Sequence, residues 1–198
     1  VSQPETWVPF GDDAIEKAHL SRTLITTRER IGYLALGLCG ESSELMSSWL
    51  MMDEQGALEE AGDVGWYLAV LERESGLQIA WDDVGKLPFV EGGFCVGLLR
   101  AACDLAERAK RALIGGEFDR AKAAIVLTNA VHNWTLFCSF MGGPEAVLRG
   151  NQEKRLKRYG TSGFSLELMP SDTDRIVIDI GSRLNNKAGS APSLNKLR

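Results

Sequence analysis

Four carboxylates in two short pairs, Glu41-Ser-Ser-Glu44 and Glu60-Ala-Gly-Asp63, interrupt runs that are otherwise apolar and helix-forming. Leu34-Ala-Leu-Gly-Leu-Cys-Gly precedes the first pair, and Val64-Gly-Trp-Tyr-Leu-Ala-Val-Leu follows the second. Acidic side chains in such surroundings are costly to desolvate unless something compensates them. A spacing of three puts both members of a pair on one helix face. Two such helices facing each other gather four negative charges, which either raise one another's pKa values or hold a cation. An all-oxygen donor set suits hard divalent ions, above all magnesium, which is held by a few carboxylates and completes its shell with water and substrate phosphates. Manganese is the expected substitute. Such an ion neutralises phosphate charge and lowers the pKa of a bound water. A carboxylate not fully engaged with the ion could orient that water as a general base. The plain alternative is a pair of solvated acidic faces beside a core stripe.

A phosphate-bearing substrate also needs cations from the protein. Lys110-Arg111 close one helical run, and Asn151-Gln-Glu-Lys154-Arg-Leu-Lys-Arg158-Tyr159 forms the last. Asn151, Lys154 and Arg158 share a face at helical spacing, so their polar ends can reach one ligand. The competing reading is a solvated basic helix end favoured by the dipole, and Lys157 is assigned to it. Tyr67 follows the same face as Glu60 and Asp63 and is a candidate stacking partner for a base. Trp66, a large aromatic beside a site, is assigned to the core.

These side chains must be positioned by helices. A first is expected from Asp12 or Asp13, as N-cap, to residue 30, and a second over 31–52, its start weakened by Gly32, Gly37 and Gly40. Asp53-Glu-Gln-Gly56 reads as a turn and a third helix follows over 57–75, with Gly76 as its stop. The short connection makes helices two and three antiparallel neighbours. Residues 77–93 read as a connector, 94–114 and 118–141 as two further helices, and 144–159 as a last helix opened by Pro144. The fold class expected is an all-α helical bundle over 1–165, with the acidic hairpin in 11–76 and a further hairpin plus basic helix in 94–160. A C-terminal extension, 166–198, holds Arg175-Ile-Val-Ile-Asp-Ile180, read as a short strand or docking segment, and a Ser/Asn/Lys/Gly-rich end expected to be mobile.

At 198 residues and 44% hydrophobic content the chain suffices for a substantial core. The net charge of −5 disfavours a general nucleic-acid surface. No apolar N-terminal stretch reads as a signal peptide and no run is long enough to span a membrane, so a cytoplasmic protein without a membrane partner is expected. The four cysteines, Cys39, Cys95, Cys103 and Cys138, lack Cys-x-x-Cys spacing and sit in apolar helical contexts. They read as buried thiols, not as zinc ligands.

An internal echo relates the halves. Cys39-Gly-Glu-Ser-Ser-Glu44, a turn and a helix with Trp66-Tyr-Leu find a parallel in Cys103-Asp-Leu-Ala-Glu107, a turn and a helix with Trp134-Thr-Leu. Two tandem hairpins forming a pseudo-dimer is one reading, and coincidence between two amphipathic hairpins is the other.

The acidic segments, Gly37-Leu-Cys-Gly-Glu41-Ser-Ser-Glu44-Leu and Glu59-Glu60-Ala-Gly-Asp63-Val-Gly-Trp66-Tyr67-Leu-Ala, resemble the metal motif of the MazG-like, all-α nucleoside triphosphate pyrophosphohydrolases. Arg22-Thr23, and the closing Asn151-x-x-Lys154 and Arg158-Tyr159 with Gly163-Phe164, are similar to further segments of that family. The resemblance implies magnesium-dependent cleavage of a (deoxy)nucleoside triphosphate to the monophosphate and pyrophosphate, with Glu41, Glu44, Glu60 and Asp63 on the metal and one of them orienting the water. It also implies a homo-oligomer, a dimer first of all. Ser47-Ser-Trp-Leu-Met-Met52 stands where the family often carries lysines, and roughly sixty residues separate the second acidic pair from the closing helix. A degenerate second hairpin replacing a dimer partner accounts for both, with Lys110-Arg111 supplying the displaced cations. Two rivals remain. A di-iron bundle needs two Glu-x-x-His motifs, and only Glu16-Lys-Ala-His19 qualifies, since His132 lacks its glutamate. A nucleotide-binding or regulatory protein without turnover is the other.

Overall fold

The computed structural model describes residues 26–84, 86–87 and 93–159, with side chains described as far as Lys154. Residues 12–25 of the expected first helix, with His19 and Arg22-Thr23, and the Arg158 side chain, Gly163-Phe164, the 175–180 segment and the C-terminal end lie outside the described residues. By its contacts the chain divides into Val1–Arg158 and Tyr159–Arg198.

Five helices and no strands are found among the described residues: α1 Thr27–Leu50, α2 Glu54–Ser75, α3 Phe94–Leu113, α4 Arg120–Phe140 and α5 Pro144–Tyr159. The all-α expectation is met. The sequence reading broke the chain between residues 30 and 31, whereas α1 runs through that point. Its start is a capping box: the Glu29 amide donates to Thr26 Oγ1 at 3.2 Å, and the Thr26 amide donates to the Glu29 carboxylate at 2.7 Å. Gly32 does not interrupt the helix; Leu113 of α3 packs against the space its missing side chain leaves. Helix α2 begins three residues before the expected 57, because Asp53 is an N-cap, accepting from the Gly56 amide at 3.0 Å. Gly76 ends α2 at φ +60°, a left-handed position where a side chain would be strained.

Helix α1 packs on α2 and α3, α3 packs on α4, and α4 packs on α2. The four helices therefore close a ring around one core. Ile31, Leu34, Ala35, Leu38 and Leu45 face it from α1 at three- and four-residue spacing, and Leu68 and Leu71 of α2, Leu98 and Leu105 of α3 and Leu127 of α4 meet them. Each such leucine contributes roughly 1.5–3 kcal/mol through burial. One end is closed by an edge-to-face aromatic group in which Trp49 contacts Phe94, Phe137 and Phe140 at ring distances of 5.3, 5.8 and 5.1 Å. Among the described residues no helix is long and apolar enough to cross a membrane.

The segment following each hairpin returns to the second helix of the other. After α2, the Ala80 amide donates to Thr128 Oγ1 on α4 at 3.1 Å. After α4, Lys154 of α5 reaches Glu60 on α2 at 2.9 Å. Thr128 stands six residues before Trp134, as Glu60 stands six before Trp66.

Candidate metal centre

The two acidic segments sit where α1 and α2 run side by side. Carboxylate oxygens of Glu41, Glu60 and Asp63 all lie within 4.8 Å of one another, and all three residues are half-buried. Oxygens on opposite sides of an octahedral magnesium stand about 4.2 Å apart, so the three need little adjustment to share an ion. Glu44, one turn beyond Glu41, is exposed and outside this group, although its charge still acts on Glu41. Of the four expected ligands, the fold gathers three and leaves the fourth at the solvent edge.

Helix α5 closes over the cluster. Lys154 donates to Glu60 at 2.9 Å and to Asp63 at 2.5 Å, and Asn151 Nδ2 donates to Asp63 Oδ1 at 2.6 Å. Both residues are only 5% exposed. The sequence reading gave them to substrate phosphate, but the structure puts them on the carboxylates. Their burial requires α5 to approach α2 closely, and small residues allow it. A Cβ on Gly62 would stand 2.3 Å from Asn151 Cβ, and one on Gly150 would meet Leu58 Cβ at 3.1 Å. On the other side of Gly62, Trp134 Nε1 donates to the Ala61 carbonyl at 2.8 Å and ties α4 to the same turn. Neither glycine nor Trp134 was singled out as part of the site from sequence. Gly62, inside a helix that gains nothing from it locally, was the available signal.

Charge explains the electrostatics. Three clustered carboxylates face one ammonium. Burial raises the pKa of Glu41 to about 8, and the Asp63, Glu44 and Glu60 charges push in the same direction against a partial offset from Lys154. For Lys154, burial alone would lower the pKa, but the Asp63 charge and the hydrogen bonds to Asp63 and Glu60 win and hold it above the ordinary lysine value. With Glu41 ionised, the negative charge left after Lys154 matches one divalent cation, and the donors are hard oxygens. The residues present therefore fit magnesium or manganese.

The remaining candidates separate. Lys110 and Arg111 are exposed and paired with Glu107 of their own helix at 3.0 and 3.1 Å, which holds the Glu107 carboxyl below its usual range. Because Leu113 packs on Gly32, this end of α3 lies beside the start of α1. Glu41 is nine residues further along, about 14 Å at 1.5 Å per residue. By that packing the pair stands roughly two turns along α1 from Glu41, engaged with Glu107 and not with the clustered carboxylates. Tyr67 is half-buried, its ring lying over Gly37 of α1 and meeting Trp66 edge-on at 4.9 Å, while Trp66 is buried as expected. His132 is buried, and burial lowers its pKa. The thiols also divide: Cys95 and Cys138 are buried, Cys39 is half-buried and Cys103 is exposed, contrary to the uniformly buried set expected from sequence. At the aromatic end, a cavity of about 540 Å³ is lined by Trp49, Met52, Asp53, Glu54, Phe140 and Met141. Trp49 is eight residues past Glu41 on α1, about 12 Å along the helix. Comparisons with protein-family models, with curated proteins and with solved structures found no match.

Proposed function

We propose that the chain is a magnesium-dependent hydrolase that cleaves a (deoxy)nucleoside triphosphate to its monophosphate and pyrophosphate, as the MazG-like resemblance implies. The observation that carries the reading is the convergence of Glu41, Glu60 and Asp63 within 4.8 Å, with more negative charge than Lys154 offsets. Glu41, Glu60 and Asp63 would hold the ion. When bound, it supplies neutralisation of phosphate charge and a more acidic water.

The chain's own residues do the rest. Lys154 fixes Glu60 and Asp63 relative to each other, and Asn151 fixes the outer oxygen of Asp63, so the donor set is pre-formed at little further entropic cost. Glu44, at the solvent edge, is assigned to accept the proton of the attacking water. Water adds to the α-phosphorus, the bond to the bridging oxygen breaks, and pyrophosphate leaves. The aromatic cavity beyond Trp49 is assigned to the base end of the substrate, since the distance along α1 matches the reach of a sugar and its phosphates. The working form is expected to be a homo-oligomer, a dimer first.

Pyrophosphate release measured across the common triphosphates, with and without magnesium, tests the reading. Glu41→Gln should abolish release, and Glu44→Gln should lower turnover by about 10²–10⁴-fold while leaving magnesium binding in place. Release from no triphosphate would sink the assignment. A second reading, a nucleotide-binding protein without turnover, draws on one observation: Lys154 already pairs with two of the three carboxylates. Triphosphate binding without pyrophosphate release would favour it.

A further inference from the structure

The cavity at the aromatic end has walls of one kind and a rim of another. Trp49 and Phe140 stand at 86° to each other with ring centres 5.1 Å apart, so two aromatic planes form a corner. Phe140 is exposed, and Met52 and Met141 extend the apolar lining. Flat apolar walls take a heterocyclic base by stacking. The rim is Asp53 and Glu54, both exposed, and among the described residues no lysine, arginine or histidine lines the cavity. Helix ends do not tip this balance. Helices α1 and α4 finish beside the cavity while α2 and α5 begin there, so their dipoles oppose one another. The two carboxylates differ in freedom. Asp53 caps α2, accepting from the Gly56 amide at 3.0 Å. The Glu54 side chain has no ion pair or hydrogen bond among the described residues, so its carboxylate is available to a ligand.

We propose that this cavity reads guanine, with Glu54 as the residue that determines specificity. The inference rests on the proposed assignment of the cavity to the base end of the substrate. A carboxylate accepts hydrogen bonds and donates none. Guanine places two N–H donors side by side, N1–H and the 2-amino group, and they match the two oxygens of one carboxylate as parallel bonds. Adenine and cytosine set a lone pair beside their amino group, and thymine and uracil flank one N–H with two carbonyls. Each of these would press a lone pair against the negative charge of Glu54. Stacking on Trp49 and Phe140 serves every base alike, so discrimination falls to the rim. Met52, next to that rim, is held at φ +58°, a left-handed position that a non-glycine residue adopts at a cost. Strain of this kind is retained where it places functional groups, here the start of α2 and with it Glu54.

Equilibrium dialysis of the full chain against dGMP and dIMP in magnesium buffer isolates the rim, because the two ligands differ only in the 2-amino group. The expected result is dGMP binding about tenfold tighter, the loss of one hydrogen bond to a charged group. Glu54→Gln, an exposed change that leaves the Asp53 cap in place, should keep the melting midpoint. It should bring the two affinities within about twofold of each other, since a carboxamide offers one acceptor oxygen where the carboxylate offers two. In pyrophosphate release, dGTP should show the lowest KM of the common deoxynucleoside triphosphates at similar kcat, and Glu54→Gln should raise that KM by about tenfold. Equal binding of dGMP and dIMP, binding of neither, or a Glu54→Gln variant that keeps the dGMP preference would each overturn the proposal. The hydrolase reading fails separately. A dGMP preference without pyrophosphate release leaves guanine recognition standing and removes the chemistry, whereas release without base preference removes guanine recognition alone.

Discussion

Replacing Lys154 by methionine removes the one ammonium from the carboxylate cluster while keeping most of the side chain's volume. Its side chain is 6% exposed and contacts Glu60 at 2.9 Å and Asp63 at 2.5 Å. Breaking a buried pair from one side leaves an uncompensated charge and costs about 3–5 kcal/mol. In a chain of this size 1 kcal/mol moves the melting midpoint by about 2–4 °C, so the metal-free variant should melt on the order of 10 °C lower. The loss should be largest above about pH 8, where Glu41 is ionised as well, and smaller at acidic pH, where the cluster can take up protons. Magnesium should then rescue the variant more than it stabilises the parent, because it becomes the sole cation in the cluster. At a concentration of about a hundred times the dissociation constant the rescue amounts to roughly 2.7 kcal/mol. Thermal melts of both proteins in chelator and in excess magnesium, near pH 8.5 and near pH 6, measure all of this. A drop under about 2 °C in chelator at the higher pH, or a drop that magnesium leaves untouched, would refute the claim that Lys154 and a divalent ion compensate the same charges.

Three further outcomes follow from the site. In metal-free protein Glu41 binds its proton more tightly folded than unfolded, so between about pH 4.5 and about pH 8 the native state carries more protons and stability falls as pH rises, levelling off above; denaturant titrations across that range should show the slope, and Glu41→Gln should flatten it. Gly62→Ala would drive a methyl into Asn151 and should cost about 1–3 kcal/mol with loss of pyrophosphate release, whereas Gly40→Ala, exposed with nothing near its added carbon, should stabilise α1 by up to about 1 kcal/mol and keep activity. Changing Lys110 and Arg111 together to alanine should leave both KM and kcat unchanged, since their partner is Glu107; a large rise in KM would return them to the substrate site.

Local signals carried much of this protein's architecture. Gly76 and Pro144 mark a helix end and a helix start as their backbone preferences dictate. The spacing of Glu41, Glu60 and Asp63 brought three carboxylates together because two adjacent helices with matched acidic faces have few other ways to pack. The start of α1 is also written locally, in the Thr26 and Glu29 capping box that the sequence analysis passed over, and Leu113 from a distant helix shows why Gly32 is tolerated. The Lys110–Glu107–Arg111 group was readable as an i,i+3 and i,i+4 set and should have counselled a surface role. What could not be read was the partner of Asn151 and Lys154. Their contact with Asp63 and Glu60 depends on how closely α5 crosses α2, a long-range fact that rests on Gly62 and Gly150 together.

The order in which the chain is synthesised gives the α5 crossing another meaning. Helices α1 to α4, which close the bundle ring among themselves, leave the ribosome first, and with them all three clustered carboxylates. Their ammonium follows only when residue 154 emerges, some ninety residues after Asp63. The nascent bundle therefore passes through a stage in which its acids must be protonated, screened or held by a borrowed cation. On the proposed function, a divalent cation bound in that interval would act on the same charges that Lys154 later compensates, and the arrival of α5 would convert a folding aid into an exchangeable site.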